Sequence, residues 1–162
     1  MRLVVADTSP IFYLLSIGQI GLLPRLFGKV FVPDAVYNEL CHPTAPPLLN
    51  AWTSERPAWL EVCSVNPIDD EMFRVLGAGE RAAITLAISM HADLILIDER
   101  KGTKVALNRG FDVTGTLGIL RIAAQRGWID LAACFARLKR TNFRYRQDIV
   151  DEMLAEGSSG IS

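Results

Sequence analysis

Two short runs of Val, Ile and Leu in this sequence each end on an aspartate. Residues 3–6 precede Asp7, and residues 94–97 precede Asp98. A continuous apolar run of this length is typical of a strand that is buried on both faces of a parallel sheet. In such sheets, ligands bind beyond the carboxyl ends of the strands. The two aspartates are therefore candidates for a shared site at one end of the sheet.

Helical patterns alternate with the apolar runs, which predicts an α/β fold with a parallel, doubly wound sheet. Ser9 is predicted to cap the first helix, with Pro10 at its first position. The proline-rich residues 42–58 are predicted to be irregular apart from one short helix. Strands are predicted at 3–6, 30–32, 60–65, 94–97 and 111–113, and helices at 10–17, 33–40, 48–53, 69–76, 80–90, 99–109, 115–126, 130–140 and 145–155.

The composition is that of a globular domain: of 162 residues, 50% are hydrophobic and 22% are charged, which excludes a disordered chain. No apolar run approaches the roughly 18 residues of a membrane span, and the stretch before Asp7 is too short for a signal peptide. Three cysteines without paired spacing favour a reduced, cytoplasmic protein. We predict a single domain over residues 1–156 and a flexible tail over 157–162.

The net charge of −1 hides a strong polarity along the chain. Residues 1–99 carry six Lys and Arg against twelve Asp and Glu, and residues 147–162 carry four acids and no base. Between them, residues 100–146 carry eleven Lys and Arg against two acids. An acidic part can hold cations, and a basic segment can hold a polyanion or an acidic protein. Solvated helix faces explain the same charges, and the sequence leaves both interpretations open.

Two glutamates lie on predicted inward helix faces without a local partner. Glu80 shares its face with small and apolar residues at +3, +7 and +10, and it has no basic residue at i+4 or i−4. Glu39 follows Ala35 and Val36 at the spacing of one helix face. Each acid also has an ordinary structural explanation, such as a helix cap or a turn. Several uncompensated buried carboxylates would nevertheless cost several kcal/mol each, so a cation among them is expected.

Mg²⁺ and Mn²⁺ are the cations that such a set of oxygen ligands favours. Asp7 and Asp98 are predicted as direct ligands, and Glu39 and Glu80 as ligands directly or through water. The expected chemistry is activation of water for in-line displacement at a phosphate. Further roles are predicted for Thr8 and Ser9, which would orient Asp7 or a phosphate oxygen, and for Arg81 at the scissile phosphate. Arg100, Lys101 and Lys104 are predicted to lie along a polynucleotide backbone.

The sequence resembles the PIN domain, and more narrowly its VapC-like branch of prokaryotic proteins. The similarity covers about residues 2–127 and depends on the order and spacing of its motifs. These are Val-Val-Ala-Asp-Thr-Ser-Pro at 4–10, the Val-Pro helix start at 32–33 that leads to Glu39, Gly-Ala-Gly-Glu-Arg-Ala-Ala-Ile at 77–84, Leu-Ile-Leu-Ile-Asp-Glu-Arg-Lys-Gly at 94–102 and Val-Thr-Gly-Thr-Leu-Gly at 113–118.

The resemblance implies a three-layer α/β/α fold, an Mg²⁺- or Mn²⁺-dependent ribonuclease and a homodimer. In toxin–antitoxin pairs of this family, a small antitoxin protein blocks the site. Asp7, Glu39, Glu80 and Asp98 match the first to fourth acids of the family. Two positions depart from its pattern, because the third acid is commonly Asp, and because Arg100 stands where a further acid is often found, with Glu99 as the nearest substitute.

Two alternatives to a nuclease come from other classes. A catalytically silent PIN-like module would hold RNA or a protein without cleaving it. A phosphoryl-transfer domain of the haloacid-dehalogenase type would need an acid two residues after Asp7, where Ser9 stands. A receiver domain would need a late lysine followed by proline, which the sequence lacks. The nuclease and the silent module therefore remain as the two hypotheses.

Overall fold

The computed structural model describes residues 2–66, 68 and 70–159. Across these residues, five parallel strands form one sheet in the order β3-β2-β1-β4-β5. The strands are β1 Val4–Ala6, β2 Val30–Pro33, β3 Leu60–Cys63, β4 Leu94–Leu96 and β5 Asp112–Thr114. The parallel sheet and its central β1 strand confirm the predicted α/β class.

The helices connect the strands and cover the sheet. They are α1 Thr8–Ser16, α2 Leu22–Phe27, α3 Asp34–Leu40, α4 Pro47–Ser54, α5 Ala78–Met90, α6 Arg100–Asn108, α7 Thr116–Gln125, α8 Leu131–Leu138 and α9 Gln147–Ser159. A short 3-10 helix, Glu71–Phe73, precedes α5. No helix in the described part of the chain has the length and apolarity needed to cross a membrane.

Alternate residues of the central strands pack into two separate cores, one on each face of the sheet. Val4 and Ala6 belong to the core that α1, α7, α8 and α9 share, whereas Val5 belongs to the core under α5 and α6. In β4, Leu94 and Leu96 likewise belong to the first core, and Ile95 belongs to the second. A strand that is buried on both faces needs apolar residues at every position. This is why the apolar runs were continuous, and it confirms the three-layer α/β/α architecture.

The helix predicted over 69–76 is wrong for the described residues of that range, which hold only the 3-10 helix. The amide of Phe73 donates to the carbonyl of Asp70 at 3.0 Å, and the amide of Leu76 donates to that of Phe73 at 3.0 Å. Phe73 and Leu76 are both buried in the core under α5. Packing of these two side chains therefore holds the segment in tight turns, and Gly77 is then the N-cap residue of α5. Asp69 lies outside the described residues.

The start of α1, the presence of α2 and the end of α9 also differ from the predictions. The first helix begins at Thr8 with Asp7 as its N-cap residue, so Ser9 is not the cap. Pro10 fits there because the first-turn amides of a helix need no intrahelical partner. The helix α2 was not predicted, since its six residues include Pro24 and lie between glycines. The helix α9 continues through Ser159, while 160–162 lie outside the described residues, and the flexible tail stays a prediction.

Candidate active site

The site lies where the sheet changes its direction of winding. From β1 the chain proceeds outward through β2 and β3, then returns to add β4 and β5 on the other side of β1. Asp7 follows β1 and Asp98 lies just beyond the neighbouring β4. The amide of Asp7 donates to the carbonyl of Leu96 at 2.8 Å, which extends the pairing of the two strands. A crevice at such a switch point is where open α/β sheets bind ligands.

Asp7 is the central and most buried of the four predicted acids, with 3% of its surface exposed. Burial raises its pKa from 3.8 to about 7, although a hydrogen bond with the backbone of Thr8 lowers it. The charges of Glu80, Glu39 and Asp98, in that order, are smaller contributions to the same rise in the pKa of Asp7. The structure therefore brings the four acids into one electrostatic neighbourhood. The side chain of Asp7 makes no capping hydrogen bond to α1, so a capping role does not explain it.

Asp98 is held in place by the start of α7. The amide of Thr116 donates to Asp98 Oδ1 at 2.6 Å, and its hydroxyl donates to Oδ2 at 2.7 Å. Burial raises the pKa of Asp98, and the two hydrogen bonds from Thr116 lower it. A Cβ on Gly115 would stand 2.6 Å from Asp98 Oδ1. Glycine is thus required at this position for the carboxylate to reach its donors.

Glu39 reaches the site from the last turn of α3. Its Oε2 accepts a hydrogen bond from the hydroxyl of Thr8 at 2.7 Å, and its Oε1 lies against Gly79, where a Cβ would come within 2.6 Å. The residue is exposed, which corrects the prediction of an inward face. Thr8 is therefore placed to orient Glu39, in contrast to the predicted contact with Asp7.

Glu80 lies half-buried in the first turn of α5, as its apolar neighbours predicted. Its carboxylate folds back over Gly77, and its Cβ and Cγ face Gly102 at the start of α6. The side chain makes no hydrogen bond or ion pair within the described residues. Two glycines thus shape the space around a carboxylate that has no local partner.

The remaining auxiliary candidates have separate positions. Glu99 is the N-cap of α6, and its Oε2 accepts a hydrogen bond from the amide of Gly102 at 2.7 Å. This contact gives Glu99 a structural role, and its role as a substitute ligand stays a prediction. Ser9 is half-buried in the first turn of α1, and its hydroxyl has no partner among the described residues.

The four predicted basic residues do not converge on the acids. The guanidinium of Arg81 donates from Nε to the carbonyl of Leu76 at 2.9 Å and from Nη2 to that of Arg74 at 3.2 Å, so it fastens the turn before α5. Arg100, Lys101 and Lys104 are exposed along α6. None of these three forms an ion pair within the described part of the chain.

Sequence reasoning gave no role to Thr116 or to Tyr13. The sequence offered one signal for the first, because the Gly-Thr pair at 115–116 follows a strand, just as Asp7 does. Tyr13 donates its hydroxyl to Asn142 Oδ1 at 2.8 Å, and its pKa is raised by burial and by the charge of Asp98. It therefore joins α1 to the segment before α9 at the side of the site, and no local pattern predicts that approach.

The carboxylates provide the oxygen ligands that hard divalent cations prefer, and no Lys or Arg pairs with any of the four in the described residues. The donor chemistry therefore fits Mg²⁺ or Mn²⁺. In the geometry of the described side chains, however, no three His, Cys, Asp or Glu residues are close enough together to hold a metal ion. Binding would consequently need rotamer changes, for which the flexible Glu39 and Glu80 have the freedom.

Comparison with protein-family models places the chain in a known class. The model described as PIN domain matches residues 3–159, nearly the whole chain. The fold is thus of the nuclease type, and the chain belongs to the PIN-domain family. Comparison with curated proteins finds no match.

Proposed function

We propose that the protein is a metal-dependent endoribonuclease that hydrolyses RNA phosphodiester bonds. The observation that carries this proposal is the surroundings of Asp7, a buried carboxylate near three others that have no basic partner among the described residues. Such an arrangement is unfavourable for the free protein and becomes favourable when a cation is bound. Membership of a nuclease-type family supports the same activity.

Asp7 and Asp98 would hold Mg²⁺ or Mn²⁺, with Glu39 and Glu80 as ligands directly or through water. When bound, the ion would activate water and neutralise charge on the phosphate. Thr116 fixes the direction of the Asp98 carboxylate, and Thr8 fixes that of Glu39. An ionised carboxylate only accepts hydrogen bonds, so the donors of Thr116 and Thr8 orient Asp98 and Glu39 in the form that binds a cation.

The direct test is cleavage of a mixed RNA pool with Mg²⁺, with Mn²⁺ or with EDTA. We expect cutting that requires the metal and that is lost in Asp7→Asn. The matched control is Asp112→Asn, because Asp112 is exposed at the opposite end of the sheet. This variant should cleave RNA like the parent. Equal cleavage by the parent and by Asp7→Asn would contradict the proposed site.

The second candidate is a catalytically silent module that binds RNA or protein. It is favoured by one observation, which is that the described carboxylates are not gathered as a ready-made ligand set. In that case neither Mg²⁺ nor Mn²⁺ should raise the thermal stability, and Asp7→Asn should bind RNA like the parent. Metal-dependent stabilisation that disappears in Asp7→Asn would exclude the silent module.

A toxin of a cytoplasmic toxin–antitoxin pair is the form of this nuclease that we propose. The basic segment 100–146 would then attract either RNA or an acidic antitoxin protein. We also propose a homodimer. Light scattering of the purified chain tests the oligomeric state, and co-purification with the product of a neighbouring gene tests the antitoxin.

A further inference from the structure

A pocket lies between the 3-10 helix and one face of α6. It has a volume of about 330 Å³ and is lined by Glu71, Val75, Lys101, Lys104, Val105 and Asn108. This volume is at the small end of the roughly 300–1,000 Å³ that small-molecule sites occupy. The four lining residues of α6 recur at the spacing of one helix face. The pocket therefore has one regular wall and one wall made of turns.

Side-chain contacts join the two walls of the pocket near the C-terminal end of α6. Arg109, just after α6, forms an ion pair with Asp70, and its guanidinium lies 5.3 Å from the centre of the Phe73 ring. Phe73 is in turn buried in the core below. These contacts tie the 3-10 segment to the end of α6. These side chains therefore fix one end of the gap between the two elements.

The lining combines apolar surface with uncommitted charge. Val105 is buried at the base, whereas Val75 is 61% exposed at the wall. Lys101 and Lys104 make no hydrogen bond or ion pair within the described part of the chain. Lysine stems extend the apolar wall while their ammonium groups remain at the mouth. A ligand with a flat apolar body and an attached anion matches this lining.

The first turn of α6 contacts both the pocket and one of the acids, Glu80. Lys101 lines the pocket, and the next residue, Gly102, packs against the Cβ and Cγ of Glu80. Consecutive residues of one helical turn therefore contact the pocket and Glu80, and a ligand built of repeating units can span both. A polynucleotide has the required repeat, in which a base and a phosphate alternate along one strand.

We propose that this pocket binds one nucleotide of the RNA, next to the phosphodiester that the acid site cleaves. The base lies between Val75 and Val105, and its phosphate contacts Lys101 and Lys104. The position beside the scissile bond rests on the proposed nuclease function. Binding of the nucleotide itself does not, because it involves none of the four acids.

The two polar side chains of the lining give a base preference. The Glu71 carboxylate accepts hydrogen bonds, and the Asn108 amide both donates and accepts. Glu71 has only a long 3.9 Å ion pair with Arg74 and stays largely exposed, so its carboxylate remains available to a base. Adenine, cytosine and guanine carry exocyclic amino groups, and uracil carries none. We therefore expect uridine to be the weakest occupant.

The first test measures binding of a short, labelled, single-stranded oligoribonucleotide to the full chain by fluorescence anisotropy in EDTA. EDTA removes metal-dependent cleavage, so the result is independent of the nuclease proposal. Lys101→Ala and Lys104→Ala should each raise Kd by roughly three- to tenfold and lower the slope of log K against log salt by about 0.7. Lys29→Ala is the control, because Lys29 is exposed just before β2, at the opposite end of the sheet from the acids, and lies outside the basic segment.

The contribution of the apolar wall to RNA binding is tested with a second pair of matched variants. Val75→Asp should weaken RNA binding by about tenfold or more, since it places a carboxylate where the base packs. Leu107→Asp makes the same change at a residue of α6 that is 55% exposed and does not line the pocket, and it should bind like the parent. An equal loss of RNA affinity in Val75→Asp and Leu107→Asp would overturn the proposed pocket. Unchanged affinity in both variants would overturn it as well. An acidic peptide that competes as well as RNA would also overturn it.

Nuclear magnetic resonance of the valine methyl groups locates the ligand. Titration with AMP, CMP or GMP should shift the Val75 and Val105 methyl signals, with UMP weakest, whereas inorganic phosphate at the same concentration should leave them unmoved. An equal effect of phosphate alone would overturn the nucleotide proposal. If these shifts occur but the parent cleaves no RNA with metal, the nuclease proposal fails and the pocket stands.

Discussion

At the scale of single residues, the ionisation of Asp7 links the site to stability. Its pKa of about 7 in the folded protein exceeds the ordinary value of 3.8, so folding disfavours the charged form. The resulting penalty is absent below pH 3.8, grows between pH 3.8 and 7, and is complete above pH 7. Its upper bound is about 4 kcal/mol, since one unit corresponds to about 1.4 kcal/mol.

Asp7→Asn should therefore stabilise the metal-free protein as the pH rises. Urea unfolding in EDTA should show the free energy of unfolding shifting in favour of the variant by roughly 2–3 kcal/mol between pH 5 and pH 8. Asp112→Asn is expected to follow the parent at both values, because Asp112 is exposed. A constant difference between the parent and Asp7→Asn across this range would show that Asp7 titrates normally.

Thr116 acts on Asp98 through a hydroxyl that can be removed without changing side-chain volume greatly. Thr116→Val abolishes the 2.7 Å hydrogen bond to Oδ2 and should lower metal affinity or cleavage by roughly 10- to 100-fold. Thr116→Ser keeps the hydroxyl and should restore most of the loss. Isothermal titration with Mn²⁺ and RNA cleavage rates measure the two effects. Equal behaviour of Val and Ser would assign the effect to packing, since Thr116 is fully buried.

At the scale of elements, α6 has a cap whose role is separable from metal binding. Glu99→Ala should cost about 1 kcal/mol of stability because the hydrogen bond to the Gly102 amide is lost. Glu99→Gln retains an acceptor at that position, so it should keep both the stability and the cleavage rate of the parent. Thermal unfolding and RNA cleavage measure the pair. Full stability together with lost cleavage in Glu99→Gln would instead make Glu99 a ligand.

The elements also show where sequence reasoning succeeds and where it ends. The strands β1 and β4 were predicted because double-sided burial requires a continuous apolar run, which is a local pattern. The 3-10 helix at Glu71–Phe73 depends on the packing of Phe73 into the core, which is a tertiary contact that no local sequence pattern indicates. The contacts of Glu39 with Thr8 and of Asp98 with Thr116 join residues 31 and 18 positions apart. Side-chain contacts at such separations produce no periodic pattern in the sequence. The pocket could not be predicted either, because one of its walls is the segment around Glu71–Phe73, for which a helix was wrongly predicted.

At the scale of the whole molecule, a cation should stabilise the folded protein by mass action. At a metal concentration of about 100 times Kd, the expected gain is about 2.7 kcal/mol. For a chain of this size, that gain corresponds to a rise in Tm of roughly 5–11 °C. Calorimetry of the parent and of Asp7→Asn with Mg²⁺, Mn²⁺ and Ca²⁺ checks this value. An equal rise in both proteins would place the bound ion elsewhere.

The order of the strands has a consequence for protein synthesis. Asp7 is near the start of the chain, whereas its neighbour strand β4 begins at Leu94 and the residue that holds Asp98 is Thr116. A nascent chain that ends before these residues leaves one side of β1 unpaired and Asp7 open to water. Most of the polypeptide must therefore be synthesised before all four acids, Asp7, Glu39, Glu80 and Asp98, can lie together. The acid site of the proposed nuclease is therefore incomplete until the chain has been synthesised beyond Thr116.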